Sequence, residues 1–347
     1  MNILIYVGYQ AIDFNPDTIN TIGLGGTEIA CIKLAERLPA FGHKVVVSGD
    51  VSPGIFGGVE WIKTEDLHAK YFNQFDVIIG ASYIHFALEF ENYTNAKKVF
   101  WAHNIDYHAW SNGEMIDNHE DLLHSNKIDQ FICLTNWHAM NWFRTYGIAK
   151  LGVIGNGIDF STFVGKSNKV KNRFIWSSAP ERGLGELLEH WPRIREIMPD
   201  ATLEVFSPSY AISQLYYYME ETNLLKQSGI TIRGNVGQAE LHKAMQEAEY
   251  WPYLTSYEET YCITALEMQY AGVMPITTNK AALAETVNSG IIVDDNETKW
   301  DLALQLLSQM GSELRSKATR ECMTWVKQQT WDERAHQWHN ILTAICK

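Results

Sequence analysis

The chain has 347 residues, 46% of them hydrophobic and 20% charged, which is the composition of a folded globular protein with room for two domains. A net charge of −13 argues against nucleic acid as the main partner, since phosphate backbones draw Lys and Arg. No stretch approaches the roughly 20 unbroken apolar residues of a bilayer span. The opening MNILIYVGYQ lacks the basic lead and long apolar run of a signal peptide. Five scattered cysteines without a C-x-x-C pair suit a reducing compartment, and the expected location is the cytoplasm.

Short β-branched and aromatic runs alternate with helical patterns along the chain, the mark of parallel βαβ units. In the first half the strand candidates are Ile3–Val7, Lys44–Ser48, Asp76–Gly80, Lys98–Ala102, Phe131–Leu134 and Gly152–Ile154. A helix over Thr27–Phe41 separates the first two and stops at Gly42, where a left-handed residue is useful. Trp137, Trp142, Phe143 and Tyr146 form an aromatic stripe that reads as core. Only Arg144 and Lys150 accompany it, so membrane association has weak support.

Around Val164–Asn172 the pattern lapses into a polar, basic stretch that reads as a structureless interdomain linker. The alternation then restarts with strand Phe174–Ser177, helix Leu184–Ile197, strand Thr202–Phe206, a helix through Leu215–Leu225 and strand Ile230–Arg233. Helix Glu240–Ala248, strand Tyr250–Leu254, helix Ile263–Ala271, and strands Met274–Thr277 and Ile291–Val293 follow. Helices Lys299–Met310, Ser312–Gln328 and Trp331–Ile345 close the chain. The expected domains are 1–165 and 166–330. The helix over 331–347 is expected to pack back on the first domain.

The most informative segment is Tyr257–Ile276, YEETYCITALEMQYAGVMPI, with seven residues between Glu259 and Glu267. The turn between them is a helix N-terminus, whose free N–H groups and dipole attract phosphate. A carboxylate on the helix can accept paired hydrogen bonds from a ribose, and one in the preceding loop can reach hydroxyls of a sugar beyond a diphosphate. The alternative is an exposed helix start bearing two solvated glutamates.

Glu259-x7-Glu267, followed by Ala271-Gly272 and Pro275-Ile276, resembles the signature of retaining glycosyltransferase family 4. Gly25-Gly26-Thr27-Glu28, Gly42-His43-Lys44-Val45, Asn156-Gly157-Ile158-Asp159 and Pro180-Glu181-Arg182-Gly183 fall in the order that family places its pieces. The resemblance implies an α/β fold of two Rossmann-like doubly wound domains facing a cleft, the GT-B fold. It implies transfer of a hexose from a UDP- or GDP-sugar to a saccharide or other hydroxyl acceptor, with retention and without a metal or other cofactor. The implied partners are the nucleotide-sugar and a glycan or glycolipid.

Site roles follow from the same resemblance. Glu267 is implied to bind the ribose, and Glu259, with the amides of Thr260, Tyr261 and Cys262, the hexose and phosphates. Arg182 corresponds to the family's second basic residue, which neutralises the departing diphosphate. Gly25 and Gly26 correspond to a loop whose N–H groups approach the distal phosphate. His103 corresponds to a histidine near the hexose; a partly buried histidine bonded to backbone is the competing reading. The family's first basic residue is missing, because its place reads Ile175-Trp176-Ser177-Ser178.

Other function classes fit less well. Gly23-x-Gly25-Gly26 with Asp50 mimics a dinucleotide fingerprint, yet the glycines come long after the first strand and Glu28 stands where a third glycine belongs. A nucleotide-sugar epimerase of the same fold and a non-catalytic nucleotide-sugar-binding protein remain the alternatives. His103, His108, His119, His124 and His138 match no metal-ligand spacing, and no metal site is expected.

Overall fold

The computed structural model describes residues 1–10, 12–107, 109–111, 114–117, 119–165, 167–207 and 223–347. The chain divides into two compact units: residues 1–19, 24–157 and 331–347, and residues 20–23 with 158–330.

The first unit is built on strands β1 (Asn2–Gly8), β2 (Lys44–Gly49), β3 (Gly54–Phe56), β4 (Val59–Ile62), β5 (Val77–Ala81) and β6 (Lys97–Trp101). A separate hairpin pairs β7 (Ala109–Ser111) with β8 (Glu114–Asp117), and β9 (Gln130–Cys133) and β10 (Leu151–Val153) complete the set. The main sheet runs β10-β9-β6-β5-β1-β2-β4-β3 and is parallel except for the antiparallel β3–β4 edge. Its central strands, ILIYV and VIIGA, are buried throughout, as a parallel sheet covered on both faces requires.

The helix predicted over Thr27–Phe41 is α-helical over Gly26–Arg37, then tightens into a 3-10 turn over Leu38–Phe41. Pro39 explains the change, because it has no N–H to continue the α-helical ladder. Gly42 ends the turn at φ 78° in the left-handed region. The aromatic stripe divides: Trp142 is fully buried against Phe100 and Phe131, whereas Phe143 faces outward at 52% exposure. The Asn136–Tyr146 helix turns Trp142 inward and its neighbour outward, since adjacent helical residues point about 100° apart. The closing Trp331–Ile345 helix lies in this unit, with Trp338 buried edge-on against Trp101 at 5.0 Å.

The second unit is a six-stranded parallel sheet of β11 (Arg173–Ser177), β12 (Thr202–Phe206), β13 (Ile230–Gly234), β14 (Tyr250–Tyr253), β15 (Met274–Thr278) and β16 (Ile291–Val293). Its order, β13-β12-β11-β14-β15-β16, reverses between β11 and β14, so the carboxyl ends of those two strands open a crevice where their following loops diverge. The helix predicted through Leu215–Leu225 lies mostly outside the described residues; its end, Leu224–Lys226, is a 3-10 turn.

The stretch read as a structureless linker has a structural task. Lys169 Nζ donates to the carbonyls of Met245 (3.3 Å), Ala248 (2.5 Å) and Ala271 (2.8 Å). One ammonium thereby closes the C-terminal ends of two helices, Gln238–Glu247 and Ile263–Tyr270, where the helix dipoles favour a cation. Burial pushes its pKa down to about 8. Replacing Lys169 by Met keeps the apolar stem and removes all three bonds. We expect a loss of roughly 1–3 kcal/mol in the unfolding of this unit, measured by urea denaturation, since the freed carbonyls stay partly buried. A change below about 0.5 kcal/mol, the level of an ordinary surface substitution, would remove the capping role.

Candidate donor-binding site

Two carboxylates dominate the second unit, and both are buried: Glu259 is 5% exposed and Glu267 6%. That excludes the solvated helix start. Glu259 follows β14 and Arg182 follows β11, so the two strands flanking the topological switch deliver them to the same crevice. Arg182 closes a 3-10 turn over Pro180–Arg182, and Gly183 takes the left-handed φ of 118° that lets the chain turn into the Leu184–Ile197 helix. Arg182 Nη1 donates to Glu259 Oε1 at 2.5 Å, and its guanidinium lies over the Tyr257 ring at 4.2 Å. Tyr253, the last residue of β14, donates its hydroxyl to the same Oε1 at 2.5 Å. Burial opposes the charge on Arg182, but the Glu259 carboxylate outweighs it and holds the guanidinium pKa above its ordinary value. Burial, then Glu259, pushes the Tyr253 phenol well up, so it remains a donor.

Glu267 lies in the Ile263–Tyr270 helix, and its Oε1 accepts from His242 Nε2 at 3.1 Å and Gln238 Nε2 at 3.2 Å. Gln238 and His242 stand four residues apart on the neighbouring helix, hence on one face. The loop carrying Glu259 is tied down on its other flank. Ala282 N donates to Glu259 O (3.1 Å), Thr278 Oγ1 to Thr255 O (2.8 Å) and Ser256 Oγ to Asp295 Oδ1 (2.7 Å). Cys262, at the N-cap of the Glu267 helix, has φ 71° and ψ 80°, a left-handed conformation unusual for a residue with a Cβ. Thr260 and the buried Tyr261 complete this turn.

The position of the missing basic residue holds no cation. Ser178 O instead accepts from Trp176 Nε1 (3.0 Å) and Ser207 Oγ (2.9 Å), and Ser178 Oγ stands 3.4 Å from the Tyr253 hydroxyl. Lys280, just past β15, has its Nζ 3.3 Å from Asp295 and 3.9 Å from Glu258. Among the described residues, Arg182 is thus the cation paired with Glu259.

The remaining predicted residues lie in the first unit. Gly25 is the N-cap of the Gly26–Arg37 helix, with extended φ and ψ of −70° and 167°. A Cβ at Gly25 would meet Glu28 Oε2 at 2.5 Å, so the glycine lets that carboxylate fold over the helix start. His103 follows β6 and is buried, its ring 4.5 Å from that of Trp101. Burial, with a smaller contribution from His138, presses its pKa down to about 3, so the ring is neutral at physiological pH. His138 Nε2 meets Asn104 O at 2.8 Å, and His85 Nδ1 meets His119 Nε2 at 2.9 Å. His108 lies outside the described residues. No group of three or more His, Cys, Asp or Glu among the described residues could hold a metal ion.

Tyr253, Tyr257, Gln238 and His242 did not emerge from the sequence. Helical spacing relates Gln238 to His242, but the helix was expected to begin two residues after Gln238, at Glu240.

No family model and no curated protein matches the chain. Solved structures do match in fold. A glycosyltransferase from Rickettsia africae aligns over 100% of this chain and 98% of its own, with TM-score 0.76 and 18% identity. Sucrose-phosphate synthase from Thermosynechococcus elongatus aligns over 99% of both chains, with TM-score 0.76 and 14% identity. Anabaena HepE in complex with UDP-glucose aligns over 99% of this chain and 100% of its own, with TM-score 0.72 and 13% identity. The chain therefore has the GT-B fold, a mixed α/β architecture with two parallel-sheet domains. Among the described residues, no helix is long and apolar enough to cross a membrane.

The backbone at Cys262 generates a prediction about this turn. A non-glycine residue in such a conformation costs about 1–3 kcal/mol, and glycine relieves that cost. Cys262→Gly should therefore stay within about 1 kcal/mol of the parent in urea denaturation despite the lost thiol. Cys262→Val should lose roughly 2 kcal/mol or more, because a β-branched side chain tolerates positive φ least. Equal losses in both variants would show that the thiol's packing, not the backbone, governs this position.

Proposed function

We propose that this protein is a retaining glycosyltransferase that moves a hexose from a UDP- or GDP-sugar to a hydroxyl of a saccharide or glycolipid. The observation that carries the reading is the ion pair of Arg182 with the buried Glu259 at the sheet's switch point, with a second buried carboxylate, Glu267, on the next helix. Crevices of this kind take nucleotides in doubly wound folds. HepE, a fold relative, has been solved with UDP and with UDP-glucose, which favours the same donor class here.

In this reading Glu267 accepts hydrogen bonds from the ribose hydroxyls and Glu259 from the hexose. Departure of the nucleoside diphosphate moves negative charge onto the bridging oxygen and leaves an oxocarbenium-like centre on the sugar. Arg182 and the backbone amides of Thr260, Tyr261 and Cys262 meet that charge. The leaving phosphate can take the acceptor proton on the same face, which retains the anomeric configuration without a protein base. His103, neutral and buried, supplies no cation to the reaction. The reaction calls for no metal ion. Free cysteines at all five positions fit a reducing cytoplasm.

Thermal shift against UDP-, GDP- and ADP-sugars tests the donor class, because a ligand at 100 times its dissociation constant adds about 2.7 kcal/mol of stability. Stabilisation and turnover should survive EDTA, and NMR of the product should show retention. No shift with any of the three donors, or activity lost in EDTA and restored by Mn²⁺, contradicts the reading.

The leaving-group role of Arg182 makes a sharper claim. Arg182→Ala should lower turnover at saturating donor on the order of 10²–10³-fold, as for other lost transition-state donors. Arg182→Lys should recover part of this, since it keeps the charge but not the fork. An alanine variant that folds by circular dichroism and keeps more than about a third of turnover would show that Arg182 is structural, since that loss is far below a typical one.

A further inference from the structure

His242 lies deep in the second unit with 1% of its surface exposed, and neither composition nor motif assigns it a task. Its ring stacks flat on Phe163, with centroids 4.0 Å apart and planes 8° from parallel. Phe163 meets Tyr270 edge-on at 4.8 Å, and Tyr270 stacks on Phe160 at 4.5 Å. The ring plane of His242 is thus held by aromatic packing, and its Nδ1 edge faces Thr162 O at 3.4 Å. Held this way, Nε2 points at Glu267 Oε1, 3.1 Å away. Gln238 adds a second donor to the same oxygen at 3.2 Å. No described residue bonds the other oxygen of Glu267. Gln238 Oε1 is buried and has no hydrogen-bond partner among the described residues. Beside one saturated carboxylate oxygen there is therefore one open carboxylate oxygen and one buried acceptor awaiting a donor. Two adjacent hydroxyls are the chemistry that fits such a pair of acceptors.

We propose that His242 is a positioning residue that fixes one oxygen of Glu267 and so sets a preference for a ribose diol over a 2′-deoxyribose in the bound nucleotide. The inference rests on the reading of Glu267 as the ribose ligand. Without the His242 bond the buried carboxylate can rotate, and its free oxygen no longer meets the diol in one geometry. The nucleobase and the phosphates are untouched by this change. The signature of positioning is a change in the ratio of two affinities, not a uniform loss.

The experiment is calorimetric titration of UDP and 2′-deoxy-UDP, with GDP and 2′-deoxy-GDP in parallel, into four proteins: the native chain, Glu267→Ala, His242→Phe and His242→Gln. The native chain should favour the ribose form by about tenfold or more, the worth of a hydrogen bond to a charged group. Glu267→Ala should abolish the preference. His242→Phe keeps the stack on Phe163 but loses the donor, and should reduce the preference by about threefold or more. His242→Gln loses the stack but keeps an N–H donor, and should restore most of it. A His242→Phe protein with the native ratio, beside a Glu267→Ala protein that has lost it, overturns the proposal and leaves the functional reading standing. Equal weakening of both nucleotides in His242→Phe overturns it in the same way. A Glu267→Ala protein that still prefers ribose, or a native chain that binds neither nucleotide, overturns both.

Discussion

The contact between Arg182 and the buried Glu259 is the constraint around which the second unit is organised. A carboxylate taken out of water carries a desolvation cost of several kcal/mol, recovered only when a cation faces it in good geometry. Three features supply that geometry. The sheet reverses direction between β11 and β14, which sends the two loops to the same place. Gly183 turns the chain immediately after Arg182. Backbone and side-chain bonds to Ala282, Thr278 and Asp295 hold the Glu259 loop from behind. Tyr253 adds a donor that stays protonated, so Glu259 Oε1 is doubly occupied.

Much of this frame was legible in the sequence. Parallel strands buried on both faces produce unbroken apolar runs, and ILIYV, KVVVSG and MPITT were placed within a residue or so. Helices such as Leu184–Ile197 and Trp331–Ile345 were placed to the residue by their apolar spacing. What escaped was short or non-periodic. The β3–β4 edge turns on Gly57 and Gly58 with strands of three and four residues, too brief for alternation to register. Pro39 altered a helix end that apolar periodicity alone extended. Lys169 looked like linker composition, because a cation that caps two helices has no sequence period.

The candidate site shows the same division. Glu259 and Glu267 could be found from their spacing around a helix start, and Arg182 only through the family resemblance. Tyr253, His242 and Gln238 could not, because they act across elements: His242 meets Glu267 from a helix 25 residues earlier, and Tyr253 ends the strand preceding the loop. Cys262 was named for its amide, but its left-handed backbone was hidden, since that conformation is usually announced by glycine. The burial of His103 was likewise beyond a motif, and burial is what makes it neutral.

A common design links the two glutamates. Each has its Oε1 held by two side-chain donors, Arg182 and Tyr253 for Glu259, His242 and Gln238 for Glu267. A carboxylate held at one oxygen keeps its second lone-pair set in a fixed direction, so a ligand hydroxyl meets an acceptor that needs no reorientation. Preorganisation of this kind is where buried polar groups offset their own desolvation, because ordering is completed on folding rather than on binding. The two sites nevertheless differ in what their donors can do next. His242 orients Glu267, and Gln238 does the same while keeping its own Oε1 open to a ligand hydroxyl. Arg182 has a second possible partner in any diphosphate that enters the crevice. Its exposure is 30% against 6% for the Glu259 side chain, so the cation is the more accessible member of the pair. Glu259 engages the guanidinium through Nη1, and its other N–H groups are donors an incoming anion can use. The ion pair need not break for ligand binding, and the single guanidinium can serve the fold and the chemistry together.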